Sequence, residues 1–298
     1  MVTGIIDVGS NTIRLSIFKH EKNGSFYSLI SEKSVVGLVG YVSKGELSTK
    51  GIARLCRCLT DYMSIVKNLD VDEVHAFATA SLRYVSNAKE VVARVLDVTG
   101  LKLELLSGDD EAHLSFVGAR HSTGIEAGLV VDIGGASCEL VRVTKGVAGE
   151  SYSIPLGSLS LSLEANRGIF PKKNSVKEMN SIINKRLKEV SSIFKKETKT
   201  LCFVGGTARA SYRVAREFEG GNGRLIEDWE LADIIEGYEK QNVELIQAIR
   251  SAAPERVFTL LAGILIMRAI IKQSGATELL VAKSGVREGY LIEKVIGN

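Results

Sequence analysis

The sequence predicts an α/β protein made of two βββαβα halves with mixed sheets and a cleft between the halves. The first observation is an internal repeat, since IIDVGS at residues 5–10 recurs as VVDIGG at residues 130–135. Two further strand patterns separated by a glycine-bearing turn follow each copy, which predicts a hairpin after each loop. The second observation is that helical patterns and single strands then alternate in both halves. The third is composition: 45% of the 298 residues are apolar, enough to form the cores of about two domains.

The first half contains five strand patterns and two helix patterns. Apolar residues from Ile52 to Val66 keep helical spacing. Asn87 precedes a second helical pattern that runs to about Asp97, and Asn is a favourable helix N-cap. The strands of this half are expected at residues 5–8, 12–19, 26–35, 74–78 and 101–105.

The second half repeats this order. Its strands alternate with helices, which are expected near residues 175–196, then up to about residue 272, and finally from about Val286. The polar, glycine-bearing stretch at residues 118–127 marks the expected boundary between domains 1–120 and 121–298. The final helix, residues 286–298, is a candidate to pack back on the first domain. The strands of this half are expected at residues 130–133, 137–144, 148–154, 201–204 and 278–282.

Charge and cysteine content exclude several classes of protein. The 38 Lys and Arg against 35 Asp and Glu leave a net charge of +3, too balanced for a strongly basic nucleic-acid-binding protein. Four cysteines without a C-x-x-C pair, and four histidines without zinc spacing, predict reduced thiols and no zinc site. The longest apolar run, residues 257–267, is too short to span a bilayer, and a strand beginning near Met1 leaves no room for a signal peptide. We therefore expect a soluble, cytoplasmic protein without membrane or nucleic-acid partners.

The glycines indicate loops that approach a ligand closely. The chain has 29 Gly against 3 Pro, a surplus that predicts tight turns or close backbone approach. Asp7 and Asp132 each end a strand in an Asp-x-Gly loop, where a carboxylate can hold Mg²⁺ that bridges to phosphate. Gly134, Gly135 and the GGT segment at residues 205–207 present backbone amides to an anion, the last at the start of a helix. Neither a P-loop nor a dinucleotide-binding motif occurs, so we expect phosphate chemistry in the cleft.

Two further segments admit two interpretations each. Residues 107–112, SGDDEA, place three carboxylates in the first turn of a helix. They either cap the helix or supply one carboxylate that removes a proton from water. Residues 78–83, ATASLR, follow a strand, so that Thr79, Ser81 and Arg83 could reach the same cleft. Arg83 either binds phosphate through its planar guanidinium or forms a surface salt bridge.

Six segments in this order resemble the exopolyphosphatase and guanosine pentaphosphate phosphohydrolase family, which belongs to the actin-like and sugar-kinase ATPase superfamily. The resemblance covers essentially the whole chain, which looks like the short form without extra C-terminal helical domains. It implies two actin-like (ribonuclease H-like) domains. The segments are DVGSNT at 7–12, ATASLR at 78–83, SGDDEA at 107–112, VDIGGASCE at 131–139, VGGT at 204–207 and GVREG at 285–289.

The resemblance also implies an activity and a set of site residues. The activity is Mg²⁺-dependent hydrolysis of a terminal phosphoanhydride, which releases orthophosphate from inorganic polyphosphate. Glu111 would be the catalytic base that orients the attacking water. Asp132 and Glu139 would help hold Mg²⁺ or another divalent cation, with Asp7 as a further candidate. The residues implied to bind phosphates are Ser10, Asn11, Thr12, Arg83, Gly134, Gly135, Ser137, Gly205, Gly206 and Thr207.

The chain departs from the family pattern in four segments. His113 and Ser160 each stand where the family usually has Arg. Ala136 and Cys138 replace the usual Gly and Thr of the glycine loop, and Ala282 and Lys283 replace the usual Ser and Asp near the end. These changes weaken the expected substrate-binding shell. The acidic core of Asp7, Glu111 and Asp132 is kept, which favours an active enzyme.

Several expectations about substrate and partners follow. The preferred substrate is inorganic polyphosphate. Two alternatives stay open. The first is a phosphohydrolase that acts on guanosine pentaphosphate or another (p)ppGpp-type phosphoanhydride. The second is a degenerate, non-hydrolysing phosphate- or nucleotide-binding module. The resemblance also implies a possible homodimer. Residues 167–199 carry ten Lys and Arg against three Glu, which form either a patch for a polyanion or the solvated face of a helix.

Overall fold

The chain divides into two units, each with its own five-stranded mixed sheet. The computed structural model describes residues 1–165, 168–172, 174–194, 197–219 and 225–297. Unit 1 comprises Met1–Leu114 and Arg287–Asn298, and unit 2 comprises Ser115–Val286. The predicted pair of βββαβα halves with mixed sheets is confirmed.

The first part of the chain forms a three-stranded meander followed by alternating helices and strands. Its elements, in chain order, are β1 (Val2–Val8), β2 (Thr12–His20), β3 (Phe26–Val35), β4 (Val42–Ser43), β5 (Glu46–Leu47), α1 (Thr49–Asn68), β6 (Glu73–Ala78), α2 (Ala80–Arg83), α3 (Ala88–Thr99), β7 (Leu103–Leu105) and α4 (Gly108–Thr123). The main sheet has the order β3-β2-β1-β6-β7. The meander is antiparallel, whereas β6 lies parallel to β1 and β7 parallel to β6.

The second part repeats this topology with more helices. Its elements are β8 (Ala127–Ile133), β9 (Cys138–Thr144), β10 (Val147–Ile154), α5 (Ser158–Ala165), α6 (Ser175–Lys188), β11 (Thr200–Val204), α7 (Gly205–Glu219), α8 (Asp228–Glu239), α9 (Val243–Ala252), α10 (Leu260–Ser274), β12 (Glu278–Val281) and α11 (Val286–Tyr290). The sheet order is β10-β9-β8-β11-β12, with β8, β11 and β12 mutually parallel. The two sheets therefore have equivalent strand orders.

The central strand of each sheet is apolar on both faces. Ile5 and Ile6 of β1, and Val130 and Val131 of β8, are at most 1% exposed. A strand covered on both sides reads as a continuous apolar run, and this is the pattern that the internal repeat shows. The hairpin between β9 and β10 turns at residues 145–146, which both have positive φ (52° and 68°). A two-residue type I′ turn requires such angles.

The last helix packs within unit 1. The Tyr290 ring stacks on Phe77 with 5.0 Å between ring centroids, and its hydroxyl donates to Glu104 at 2.8 Å. Burial raises the pKa of Tyr290 above its ordinary value. The helix continues from α11 into a π-helical turn, Leu291–Ile296.

Some elements differ from their expected form. Asn87 precedes α3 as predicted, but its side chain does not cap the helix. Its amide is instead bonded to both backbone groups of Leu47, at 2.9 and 3.0 Å, which is a tertiary contact that local sequence cannot reveal. The helix expected near 175–196 ends at Lys188 and is followed by a 3₁₀ turn, Ser191–Phe194, while residues 195–196 lie outside the described residues. Residues 118–123 of the expected boundary stretch are helical, as part of α4.

Among the residues that the structure describes, no helix combines the length and apolar character needed to cross a membrane. All four cysteines are buried free thiols.

Candidate active site

The ends of two parallel strands in unit 1 lie side by side. β1 and β6 pair with Val8 opposite Ala78, so the loops after them leave the sheet at one edge. The Ser81 hydroxyl donates to the Val8 carbonyl at 2.5 Å, which fixes α2 against the end of β1. α2 ends at Arg83. Because ligands of open α/β sheets bind at the carboxyl ends of parallel strands, Arg83 lies at an edge where a ligand is expected.

Glu111 is buried and paired with Arg83. Nη1 of Arg83 donates to Oε2 of Glu111 at 2.8 Å and to the Leu106 carbonyl at 3.3 Å. The side chains of Arg83 and Glu111 are 16% and 9% exposed. Arg83 therefore forms a salt bridge, but a largely buried one, and its partner is the carboxylate expected to act as the base.

The three carboxylates at the start of α4 have three different environments. Asp110 and Ser107 form a reciprocal cap: the Asp110 amide donates to Ser107 Oγ at 3.0 Å, and Ser107 Oγ donates to Asp110 Oδ2 at 2.6 Å. The hydrogen bond from Ser107 holds the pKa of Asp110 below its ordinary value. Asp109 is exposed. Capping is thus the role of Asp110, whereas Glu111 is left buried beside Arg83.

Asp7 lies among arginines. In the sheet it is directly opposite Arg14 of β2. Nε of Arg287 lies 3.9 Å from Asp7 Oδ2, and Nη1 of the same guanidinium donates to Ser16 Oγ at 2.6 Å. Guanidinium groups stabilise a carboxylate and compete with a cation for it. The surroundings of Asp7 therefore differ from those of an open metal ligand.

The loop between β1 and β2 holds three predicted phosphate-binding residues. Ser10 is buried, while Asn11 and Thr12 are partly exposed. The Gly9 amide donates to the Thr12 carbonyl at 3.1 Å, and the Gly37 amide to the Asn11 carbonyl at 2.8 Å. Backbone hydrogen bonds thus fix the loop, and Asn11 and Thr12 are the members with accessible side-chain surface.

The corresponding loop of unit 2 is closed in the same way. The Gly134 amide donates to the carbonyl of the buried Ser137 at 2.9 Å. The first turn of α5 is attached to this loop, since the Ser158 amide donates to the Gly134 carbonyl at 3.0 Å and the Leu159 amide to the Gly135 carbonyl at 2.9 Å. The glycine carbonyls are therefore engaged by the protein, which fixes the orientation of the peptide planes in this loop.

The third glycine segment opens α7. Gly205 has a φ of 87°, which glycine adopts without strain, and a Cβ there would collide with the Asp132 carboxylate. A Cβ on Gly206 would collide with the guanidinium of the buried Arg256. Thr207 is buried, and its hydroxyl donates to Ser158 Oγ at 3.4 Å. A helix N-terminus beside an arginine attracts negative charge.

Two carboxylates of unit 2 face each other across neighbouring strands. Asp132 of β8 is directly opposite Glu139 of β9, and the two are 8% and 1% exposed. The Ser115 hydroxyl donates to Asp132 Oδ2 at 2.6 Å, and the Ser153 hydroxyl to Glu139 Oε1 at 2.8 Å. Residues opposite each other in an antiparallel pair place their Cβ atoms about 5 Å apart. The two carboxylates are therefore close, oriented and largely withdrawn from water.

This carboxylate pair fits one kind of cation. No group of three or more His, Cys, Asp or Glu able to hold a metal ion occurs among the described residues. Mg²⁺ is commonly bound by one or two carboxylates, with waters and substrate phosphates completing its shell. Asp132 and Glu139 match that donor set, whereas an all-protein cage for Zn²⁺ or Ca²⁺ is not indicated by the residues described.

Sequence reasoning missed two residues that the fold brings to the glycine loops. Ser115 follows Glu111 by four positions in α4, so it lies on the same helix face, a spacing that could have drawn attention to it. Arg256 lies in the 3₁₀ turn Pro254–Arg256, far in sequence from Gly206, and no local pattern indicates that the two meet.

The departures from the family pattern have different structural settings. Cys138 is fully buried, and burial raises the pKa of its thiol well above the ordinary value, so it is a core residue. Ser160 is partly exposed in α5, and Lys283 is exposed after β12. His113 Nε2 lies 2.8 Å from Glu293 Oε2, where it links α4 to the last helix.

The basic stretch at residues 167–199 shows the pattern of an amphipathic helix. In α6, Met179, Ile183 and Leu187 are buried, while Lys185 and Lys188 are exposed. The solvated-face interpretation accounts for these lysines. Residues 167, 173 and 195–196 of the stretch lie outside the described residues.

The chain matches the family model of the Ppx/GppA phosphatase family over residues 16–296. It is 34% identical over 170 residues to exopolyphosphatase 1 of Mycobacterium tuberculosis (strain ATCC 25618 / H37Rv), an alignment covering 55% of this chain and 48% of that protein. It is 32% identical over 167 residues to exopolyphosphatase 1 of Mycobacterium leprae (strain TN), covering 55% and 49%. The chain thus spans about half the length of the curated relatives it matches.

Solved structures share the fold along the whole chain. The Aquifex aeolicus member of the Ppx/GppA protein family has a TM-score of 0.80 at 25% identity, covering 100% of this chain and 98% of that one. An exopolyphosphatase from Cytophaga hutchinsonii ATCC 33406 has a TM-score of 0.86 at 22% identity, with the same coverage. The predicted actin-like fold is confirmed.

Proposed function

The chain belongs to the Ppx/GppA phosphatase family, and from that premise we propose that it is an exopolyphosphatase. It hydrolyses the terminal phosphoanhydride bond of inorganic polyphosphate and releases orthophosphate. The observation that carries the proposal is Glu111, a buried carboxylate at the start of α4 whose orientation is fixed by Arg83 at 2.8 Å. A carboxylate that is largely withdrawn from bulk water, beside a guanidinium able to bind phosphate, is suited to position a water molecule near that phosphate and take its proton.

In the proposed reaction, one residue accepts the proton and other groups stabilise the charge on phosphate. Glu111 accepts a proton from water while the water oxygen bonds to the terminal phosphorus. The bond from that phosphorus to the bridging oxygen breaks, and the chain that leaves is one phosphate shorter. The backbone amides of Gly135 and Gly206 and the guanidinium of Arg256 stabilise the charge on the phosphate oxygens, which is where most catalysis of phosphoryl transfer resides.

Asp132 and Glu139 are the residues that would hold Mg²⁺ or another divalent cation. When bound, the cation neutralises charge on the phosphate oxygens. Ser115 and Ser153 keep the two carboxylates in place through the hydrogen bonds described above. Asp7 is a weaker candidate, since a guanidinium lies 3.9 Å from its carboxylate.

Orthophosphate release from polyphosphate tests the proposal. We expect release with Mg²⁺ and none with EDTA, and a parallel assay on guanosine pentaphosphate identifies the preferred substrate. Binding of polyphosphate without release, at high enzyme concentration, would contradict the proposed hydrolysis and favour a phosphate-binding module. The homodimer and the cytoplasmic location stay predictions.

A further inference from the structure

The ion pair between Arg83 and Glu111 joins two groups that the proposed reaction requires separately. Their side chains are largely buried, and the Nη1 to Oε2 distance is 2.8 Å. A charge-assisted hydrogen bond withdrawn from solvent is strong and little weakened by salt. In this arrangement the arginine occupies an oxygen of the base, and the base occupies a nitrogen of the arginine.

This pairing opposes the proposed chemistry if it persists. A carboxylate oxygen that accepts a hydrogen bond from a guanidinium is a poorer proton acceptor, because the charged form is already stabilised. A terminal phosphate carries more negative charge than a carboxylate, so it competes for the same guanidinium. A phosphate that reaches Arg83 therefore has a reason to displace Glu111.

We propose that Arg83 changes partner when substrate binds, leaving Glu111 for the terminal phosphate and thereby releasing the base. The inference rests on the proposed function, and it makes Arg83 a residue that couples phosphate binding to the availability of Glu111. Before substrate binds, the carboxylate is held by Arg83. Once phosphate engages the guanidinium, Glu111 is free to accept the proton of the attacking water.

The position of Arg83 allows this exchange. It is the last residue of the four-residue helix α2, and its Cζ lies 5.1 Å from the centroid of the Tyr84 ring, over the ring face. A cation over an aromatic face is held without a fixed direction for its N–H groups. The guanidinium can therefore stay on Tyr84 while its donors turn from one anion to another.

A double-mutant cycle on binding tests the exchange without turnover. The probe is tripolyphosphate in EDTA, and calorimetry measures its Kd for wild type, Glu111→Gln, Arg83→Met and the double variant. If Arg83 exchanges partners, Glu111→Gln frees it and tightens binding by about tenfold in the Arg83 background, but by only about twofold with Arg83→Met. An equal gain in both backgrounds would overturn the proposal, because Glu111 would then act only by repelling the anion.

Asp109→Asn is the matched control for this cycle. It removes one negative charge from the same helical turn, at an exposed position. We expect its effect on Kd to be small, and to be the same in the wild-type background as in the Arg83→Met background. Urea unfolding of all four proteins shows whether the single variants stay folded. The double variant, Glu111→Gln with Arg83→Met, is the reference, since it leaves no unpaired charge of the pair in the interior.

Crystals with and without tripolyphosphate, both grown in EDTA, give the direct measurement. We expect Nη1 of Arg83 and Oε2 of Glu111 to separate beyond about 3.5 Å in the complex, with an Arg83 nitrogen on a phosphate oxygen. A complex in which the 2.8 Å pair is intact would overturn the exchange. Because both readouts are binding measurements, they remain decisive even if polyphosphate is not hydrolysed, a result that would instead remove the proposed function.

Discussion

The two units share one strand register but differ in charge at the Asp-x-Gly loops. In unit 1, Asp7 is directly opposite Arg14 on the neighbouring strand. In unit 2, at the equivalent place in the repeat, Asp132 is directly opposite Glu139. The same backbone geometry therefore pairs a carboxylate with a cation in one unit and with a second carboxylate in the other.

This difference predicts different chemistry for the two copies of one fold. Two adjacent carboxylates attract a divalent cation, whereas an arginine opposite a carboxylate already neutralises it. Unit 1 also holds the buried pair of Arg83 and Glu111, and unit 2 holds the glycine loops. Variants in matched positions test whether unit 1 supplies the proton acceptor and unit 2 the cation site.

The largest expected effect is at Glu111, the proposed base, in unit 1. Glu111→Gln keeps the shape of the side chain but cannot accept a proton, so kcat for orthophosphate release should fall by about 10²–10⁴. Asp109→Asn, which neutralises an exposed carboxylate two positions away, should leave kcat nearly unchanged. A Glu111→Gln variant that turns over at the wild-type rate would show that the base lies elsewhere.

The next effect compares the two repeat aspartates directly. Asp132→Asn removes one of two opposed carboxylates, so the Mg²⁺ concentration for half-maximal activity should rise by about 10–100-fold. Asp7→Asn should raise it less, because its carboxylate already lies 3.9 Å from the Arg287 guanidinium. Calorimetric titration with Mg²⁺ gives a second readout. Equal effects of the two substitutions would remove the distinction between the units.

A smaller effect is expected at the glycine loop of unit 2. The Cβ of Gly206→Ala collides with the flexible end of Arg256, which should move away while the backbone stays in place. Loss of one charged hydrogen bond to phosphate should raise KM for polyphosphate about tenfold, with little change in kcat. Gly149→Ala is the control, since its Cβ makes only an ordinary contact at 3.6 Å. Equal KM values for the two variants would exclude Arg256 from phosphate binding.

The smallest effects compare one buried tyrosine from each unit. The Tyr62 hydroxyl donates to the Ile13 carbonyl at 2.8 Å, whereas the Tyr238 hydroxyl has no hydrogen-bond partner among the described residues. Tyr62→Phe should therefore lower the free energy of unfolding by about 1 kcal/mol, and Tyr238→Phe should leave it unchanged or raise it slightly. Urea unfolding measures both, and the reverse order would contradict the assigned hydrogen bonding.

The raised pKa of Tyr62 predicts that the free energy of unfolding depends on pH. Burial raises the pKa of Tyr62 from 10.0 to about 12. The folded state then keeps its proton where the unfolded state loses it, so the stabilisation is complete below pH 10 and is lost as the pH rises towards about 12. Tyr62→Phe should unfold with a weaker pH dependence across this interval than wild type, as measured by urea unfolding at each pH.

Much of the fold could be predicted because it depends on local patterns. The repeat predicted the central strands, and the glycine-bearing turn predicted the hairpin at residues 145–146. Helix capping was one of the two interpretations of residues 107–112. It could be predicted because Ser107 and Asp110, which form the cap, lie within one helical turn. Asn87 was placed correctly before α3, but the prediction that its side chain caps this helix was wrong. The side chain bonds instead to Leu47, 40 positions away.

The sequence alone determined the strands of the two five-stranded sheets, the loops that carry glycine and the carboxylates at strand ends, because these features depend on residues within a few positions of one another. It did not predict the short hairpin of β4 and β5. Only the tertiary structure decided the partners of the charged groups. Arg83 meets Glu111 across 28 positions, and Arg287 meets Ser16 across 271. Sheet order and helix packing bring such residues together, and spacing along the chain does not encode them. For that reason Glu111 and Arg83 could each be named as candidates from the sequence, whereas their pairing could only be found in the fold.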